Sequence, residues 1–219
     1  MRRTLLVAVL APLLGALADQ GGRRRKFLTG ATLISVAATV LLTFVEPGSA
    51  SAPLVALMVF VVANVAFETA LVFYNSFLPS LAPKDRIGRI SGIGWGLGYA
   101  GGLVSLVLAL FGFIGLGDAE PLLSLNRESG FHVRATNLLV AGWFLLFSLP
   151  ALLLLKDDAP GGRKVSVVGA FRELGETFRH LRHYRDMARF LLARLIYNDG
   201  LVTVFAFGGI YAAGTFGMS

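Results

Sequence analysis

The sequence predicts an all-α fold, a polytopic membrane helix bundle with six spans. Three observations carry that prediction. Apolar residues make up 55% of the chain and charged residues only 15%, where a soluble domain carries about 25% charged; the mean hydropathy is +0.71. The apolar positions gather into blocks of about 20 residues, the length a helix needs to cross the hydrocarbon layer. The cations sit in the connections between those blocks, where they orient membrane spans.

The first span is read at 4–20. Met1-Arg2-Arg3, the apolar run and Ala16-Leu17-Ala18 imitate a cleavable signal peptide. The glycine–arginine turn that follows, and the further apolar blocks behind it, favour a span. Gly21-Gly22 then breaks the helix, and Arg23, Arg24, Arg25 and Lys26 crowd the connection before a second span at 27–45.

Glu46 beside Pro47-Gly48 marks the next turn, and a third span is read at 53–78. Lys84, Arg86 and Arg89 mark the connection to a fourth at 89–116. A loop at 117–134 sets Arg127 and Arg134 against Asp118, Glu120 and Glu128, and leads to a fifth span at 135–155. The long, arginine-rich stretch 156–187 precedes the sixth, at 188–214.

Cations alternate high, low, high, low, high along these connections. The positive-inside rule then places the 20–26, 80–88 and 156–187 loops in the cytoplasm. Arg2 and Arg3 break the pattern. The net charge of +7 is accounted for by this placement, which argues against nucleic-acid binding. No cysteine is present, which removes disulfides and thiolate metal sites and leaves the compartment open.

Within the long loop, Val168, Phe171, Leu174, Phe178, Leu181 and Tyr184 recur at helical spacing, with Arg172, Glu173, Glu176, Arg179 and Arg182 filling much of the other face. That is an amphipathic helix, suited to the cytoplasmic leaflet or to linking two halves of a bundle.

Ionisable groups inside a span cost at least about 2.5–3.5 kcal/mol on insertion scales, so they face a cavity or a partner. Glu68 lies near the middle of its span, with Asn64 one turn before it and Tyr74-Asn75 further on. Arg194, Tyr197, Asn198 and Asp199 form a polar band in the last span. Either acid can carry a proton or hold an ammonium group. The plainer reading is a buried ion pair, Arg194 with one of the acids, that only fixes packing; Arg194 can also snorkel to the interface.

Gly96-Leu97-Gly98-Tyr99-Ala100-Gly101 matches a dinucleotide fingerprint as a string, but the strand and the ribose-binding acid it requires are missing. Gly94, Gly98 and Gly102 instead form one stripe at four-residue spacing, which lets a neighbouring helix come close in lipid. Catalytic chemistry finds little support. His132, His180 and His183 lie in loops, and Arg179, Arg182 and Arg185 surround the last two, which opposes a bound cation. Neither a metal site nor a cofactor is expected.

Gly15-Ala16-Leu17-Ala18-Asp19-Gln20-Gly21-Gly22-Arg23-Arg24 resembles the loop signature of the major facilitator superfamily, G-x-L-a-D-r-x-G-r-k, which lies between that fold's second and third helices. Gln20 stands where a cation is usual. Tyr74-Asn75-Ser76-Phe77-Leu78-Pro79, Gly88-Arg89-Ile90-Ser91-Gly92 with the glycine-rich run after it, and Tyr197-Asn198-Asp199-Gly200 are similar to the vacuole-effluxer-like branch, whose fungal members are autophagy-related exporters of amino acids.

The resemblance implies a twelve-helix transporter of which this chain supplies the second to the seventh helix, so a fragment is expected. Residues 1–155 would be five helices of the N-terminal bundle, 156–187 the cytoplasmic inter-bundle loop and 188–219 the first helix of the C-terminal bundle. Implied partners are the lipid bilayer and a small polar solute, amino acids among the candidates, with protons as coupling ion.

Gly15, Asp19, Gly22, Arg23 and Arg24 would form a gating loop. Glu68, Asn64, Asn75, Tyr197, Asn198, Asp199 and Arg194 are the candidates for solute or proton. The bacterial inner membrane is the expected location. The competing classes are a membrane scaffold or assembly factor on the same fold, an inactive truncated product, and, more weakly, a lipid-handling membrane enzyme.

Overall fold

The computed structural model describes residues 23–115, 120–127, 130–157, 172, 175 and 185–216. The chain divides into two units, Met1–Val167 and Val168–Ser219. In the first unit α1 runs Arg24–Leu42, α2 Ala52–Ser76, α3 Leu78–Leu81, α4 Ile87–Ala109, α5 Phe131–Arg134 and α6 Thr136–Leu154. The second unit contributes α7, Arg185–Phe216. The span predicted at 4–20, and most of the amphipathic helix predicted over 168–184, lie outside the described residues.

Four helical stretches of the described chain are long and apolar enough to cross a membrane: Arg24–Leu42, Ala52–Leu81, Ile87–Ile114 and Phe131–Leu154. They match the predicted second to fifth spans. The predicted 188–214 span falls within α7, whose 32 residues extend about 48 Å at 1.5 Å per residue. The described bundle is a multi-pass membrane structure, and its outward surface agrees. Leu33, Leu57, Leu97, Leu106 and Leu153 all carry exposed apolar side chains, as a lipid-facing surface allows and an aqueous one penalises.

The core lies where α1 crosses α2 and α6. Leu28 and Ala31 meet Ala70, Phe73, Phe77, Leu152 and Leu155, all buried. Phe27 stacks on Phe73 with ring centroids 5.3 Å apart. Between α1 and α2 the buried positions are small: Ala31, Thr32, Ser35 and Ala38 face Ala63, Ala66 and Ala70. Small side chains at this spacing let two backbones approach, and dispersion replaces the hydrophobic drive that is absent between helices in lipid. Ser35 adds a buried hydrogen bond across the seam, its Oγ donating to the Ala63 carbonyl at 3.0 Å.

Two boundaries differ from expectation for physical reasons. The helix predicted to restart at residue 27 starts at Arg24, where Arg24 and Arg25 donate to the carbonyls of Ser76 and Leu152 on neighbouring helices. The fourth span ends in a π-helical turn, Leu110–Ile114. It is closed by Gly115, whose φ of +88° suits a residue without Cβ and lets its amide return to the Leu110 carbonyl at 2.7 Å. Leu122 and Leu123 then bond their amides to the carbonyls of Phe111 and Gly112.

Candidate functional site

The predicted polar residues of α2 share one face. Asn64 and Glu68 are one turn apart, and Asn75, eleven residues beyond Asn64, returns to within about 20° of it around the helix axis. The buried positions Ala66, Ala70 and Phe73 lie nearly opposite. The helix therefore packs with its small and aromatic face and presents amide, carboxylate and amide on the other. Glu68 is half-buried; Asn64 and Asn75 are exposed. Among the described residues no hydrogen bond or ion pair engages any of these three side chains.

Asn64 also lines a cleft of about 490 Å³ between α1, α2, α4 and α6, together with Ser105, Asn137 and Trp143. The cleft walls are aromatic, formed by Phe60, Phe67, Phe144 and Phe147. Ser105 and Asn137 were not singled out from the sequence. They are neutral, and a neutral polar residue in a span carries little insertion penalty and so little sequence signal. The arrangement can hold a polar solute by hydrogen bonds at Asn64 while leaving Glu68, one turn on, for a charge or a proton.

In α7 the polar band is spread around the helix and exposed. Arg194 and Asn198 fall on one side. Asp199, five residues beyond Arg194, lies about 140° away, and no ion pair joins the two. Thr203 Oγ1 donates to the main-chain carbonyl of Asp199 at 2.8 Å. The ion pair described in α7 is instead Arg189 with Asp186, exposed, at 3.5 Å.

Gly15, Asp19 and Gly22 of the loop signature lie outside the described residues. Arg23 is exposed just before α1, and Arg24 Nη1 donates to the carbonyl of Ser76, the last residue of α2, at 3.5 Å. Arg25, next along, is tied more closely. Its Nε donates to the Leu152 carbonyl in the last turn of α6 at 2.8 Å, and its backbone N–H donates to Asp157 Oδ1 at 2.7 Å. The cluster that signals topology in the sequence thus also caps the C-termini of α2 and α6, where cations are favoured. Neither Arg25 as a cap nor Asp157 was foreseen, because their pairing spans 132 positions of sequence.

At the other end of α1, Arg134 Nη1 donates to the carbonyls of Thr43 and Val45 at 3.3 Å each. His132, two residues earlier, is half-buried, and its Nδ1 is buried without a hydrogen-bond partner. His180 and His183 lie outside the described residues. A Cβ built on Gly94, Gly98 or Gly102 would meet nothing within 4 Å; on this helix Gly101 alone approaches a neighbour, the Trp143 Nε1 at 3.9 Å. The stripe thus faces open space within the described unit.

A family model described as vacuole effluxer Atg22 like matches residues 3–219. The uncharacterized MFS-type transporter YxiO of Bacillus subtilis is 30% identical over 212 residues, which cover 96% of this chain and 48% of that protein. Autophagy-related protein 22 of Coccidioides immitis is 24% identical over 279 residues, covering 98% of this chain and 44% of its own length. A protein of Aquifex aeolicus is 28% identical over 202 residues, with 92% and 44% covered. The chain spans about half the length of the curated relatives it matches. No solved structure matches it.

Proposed function

Because the chain belongs to the Atg22-like vacuole effluxer family of the major facilitator type, a family of transporters and not an enzyme class, we propose that it acts in secondary active transport of a small polar solute. The mechanism is alternating access, two bundles rocking around a site near mid-membrane. The observation that carries this reading is the α2 face of Asn64, Glu68 and Asn75, turned away from the packed core and unengaged among the described residues. A polar face of that kind inside a span is costly unless it meets a cavity or a solute.

The finer assignment is an amino acid as solute and a proton as coupling ion. Glu68 would hold the solute's ammonium group or the proton, and Asn64 and Asn75 would hydrogen-bond its polar atoms. Asp199, Asn198, Tyr197 and Arg194 of α7 are the further candidates for solute or proton, and the Gly15–Arg24 loop would stabilise one gate state. The cytoplasmic side is assigned to the end where Arg25, Lys84, Arg86 and Lys156 lie, in a bacterial inner membrane. Support comes from the charge alternation of the loops.

The test is counterflow of radiolabelled L-amino acids in proteoliposomes, with and without an imposed pH gradient. Flux above that of empty vesicles, raised by the gradient and lost in Glu68→Gln, is expected. Flux indifferent to the gradient removes the proton. Correct insertion with no flux for any amino acid overturns the amino-acid assignment and favours the scaffold reading.

A further inference from the structure

The start of α1 and the end of α6 are each short of a capping group of their own. The N-cap residue Arg23 makes no side-chain capping bond, and the first turn of α1 holds no acid. It holds Arg24, Arg25 and Lys26, the wrong charge for the positive end of a helix dipole. The last turn of α6 holds no base; its Ala151 carbonyl takes the Leu155 N–H, and the carbonyls beyond it lie past the reach of the helix's own donors.

Each helix makes good the other's lack. The Asp157 carboxylate takes the Arg25 N–H at 2.7 Å, one of the four orphan donors of a helix start. The Arg25 guanidinium gives its Nε–H to the Leu152 carbonyl at 2.8 Å. Both bonds are partly buried, and Leu152 itself belongs to the buried cluster with Leu28 and Leu155. Asp157 is also the point at which the chain leaves α6 on its way to the second unit.

We propose that Asp157 and Arg25 form a reciprocal cap, a latch that fixes the stretch following α6 to the first turn of α1. Asp157 is a positioning residue acting through Arg25. Its release frees the turn and the exit together while the α1–α2–α6 core stays packed. The latch holds whatever solute is carried.

Amide hydrogen exchange of the whole chain in lipid nanodiscs tests it. Asp157→Ala is expected to speed exchange across residues 24–27 by about three- to thirtyfold, the loss of one helix cap, while residues 60–73 keep their protection. Asp157→Asn retains a carbonyl acceptor and is expected to restore much of the protection, a rescue that a general packing defect does not give. Arg25→Ala is expected to speed exchange at 153–157. Unchanged exchange at 24–27 in Asp157→Ala overturns the latch, and so does acceleration spread evenly over α1, α2 and α6. Neither readout depends on flux, so failure here leaves the transport reading standing, and the reverse holds too.

Discussion

The Ser35 hydroxyl donates to the Ala63 carbonyl across 3.0 Å, and this bond marks the seam on which the first unit is assembled. Both residues are buried, and the alanines around them leave no room for a longer side chain. Ser35→Ala removes one hydrogen bond, and the Ala63 carbonyl keeps its helical partner. The expected loss is about 1 kcal/mol or less. Ser35→Leu forces α1 and α2 apart and is expected to cost about 1–3 kcal/mol. Thermal unfolding in detergent separates the two; equal melting temperatures would mean the seam is not close-packed.

Phe73 is 1% exposed and stacked on Phe27, whereas Tyr74 beside it is 52% exposed. Phe73→Ala is expected to destabilise by about 3–5 kcal/mol, and Tyr74→Ala by no more than about 0.5 kcal/mol. The same unfolding assay reads both. A similar cost for the neighbours would place the core elsewhere.

Arg134 holds the carbonyls that follow α1. Arg134→Ala is expected to lower stability by about 1 kcal/mol and to raise amide exchange over residues 40–45. Arg134→Lys should recover part of that, since a point charge keeps the dipole interaction and loses the planar fork. No difference between the two variants would argue that charge alone matters there.

Gly98→Leu adds a side chain whose Cβ meets nothing within 4 Å among the described residues and replaces a poor helix former. Stability is expected to stay level or rise by about 0.5–1 kcal/mol. If the glycine stripe receives another helix during transport, flux falls at equal membrane abundance. Unchanged flux alongside unchanged stability would remove the packing role from Gly94, Gly98 and Gly102.

Arg194 and Asp199 point to different sides of α7 without an ion pair. Arg194→Gln and Asp199→Asn should therefore act independently on stability, with a coupling below about 0.5 kcal/mol in a double-mutant cycle. A larger coupling would restore the structural ion pair as the explanation of this band, at the expense of a transport role for Asp199.

The sequence by itself determined where the chain can enter a bilayer. An apolar block of about 20 residues is a helix in lipid whatever its neighbours do, because backbone groups there must bond within the segment. The α2 and α6 spans were legible nearly to the residue, and so was the common face of Asn64, Glu68 and Asn75, which follows from helical spacing alone. Only the tertiary structure decided which way that face turns, since this depends on which residues α1 and α6 bury. It also decided that the α1–α2 seam is built of alanine and serine, and that Arg25 and Asp157 complete each other's helix ends. Orphan caps are satisfied by whichever group is nearest in space, and nothing in a linear sequence records that the end of α6 lies beside the start of α1.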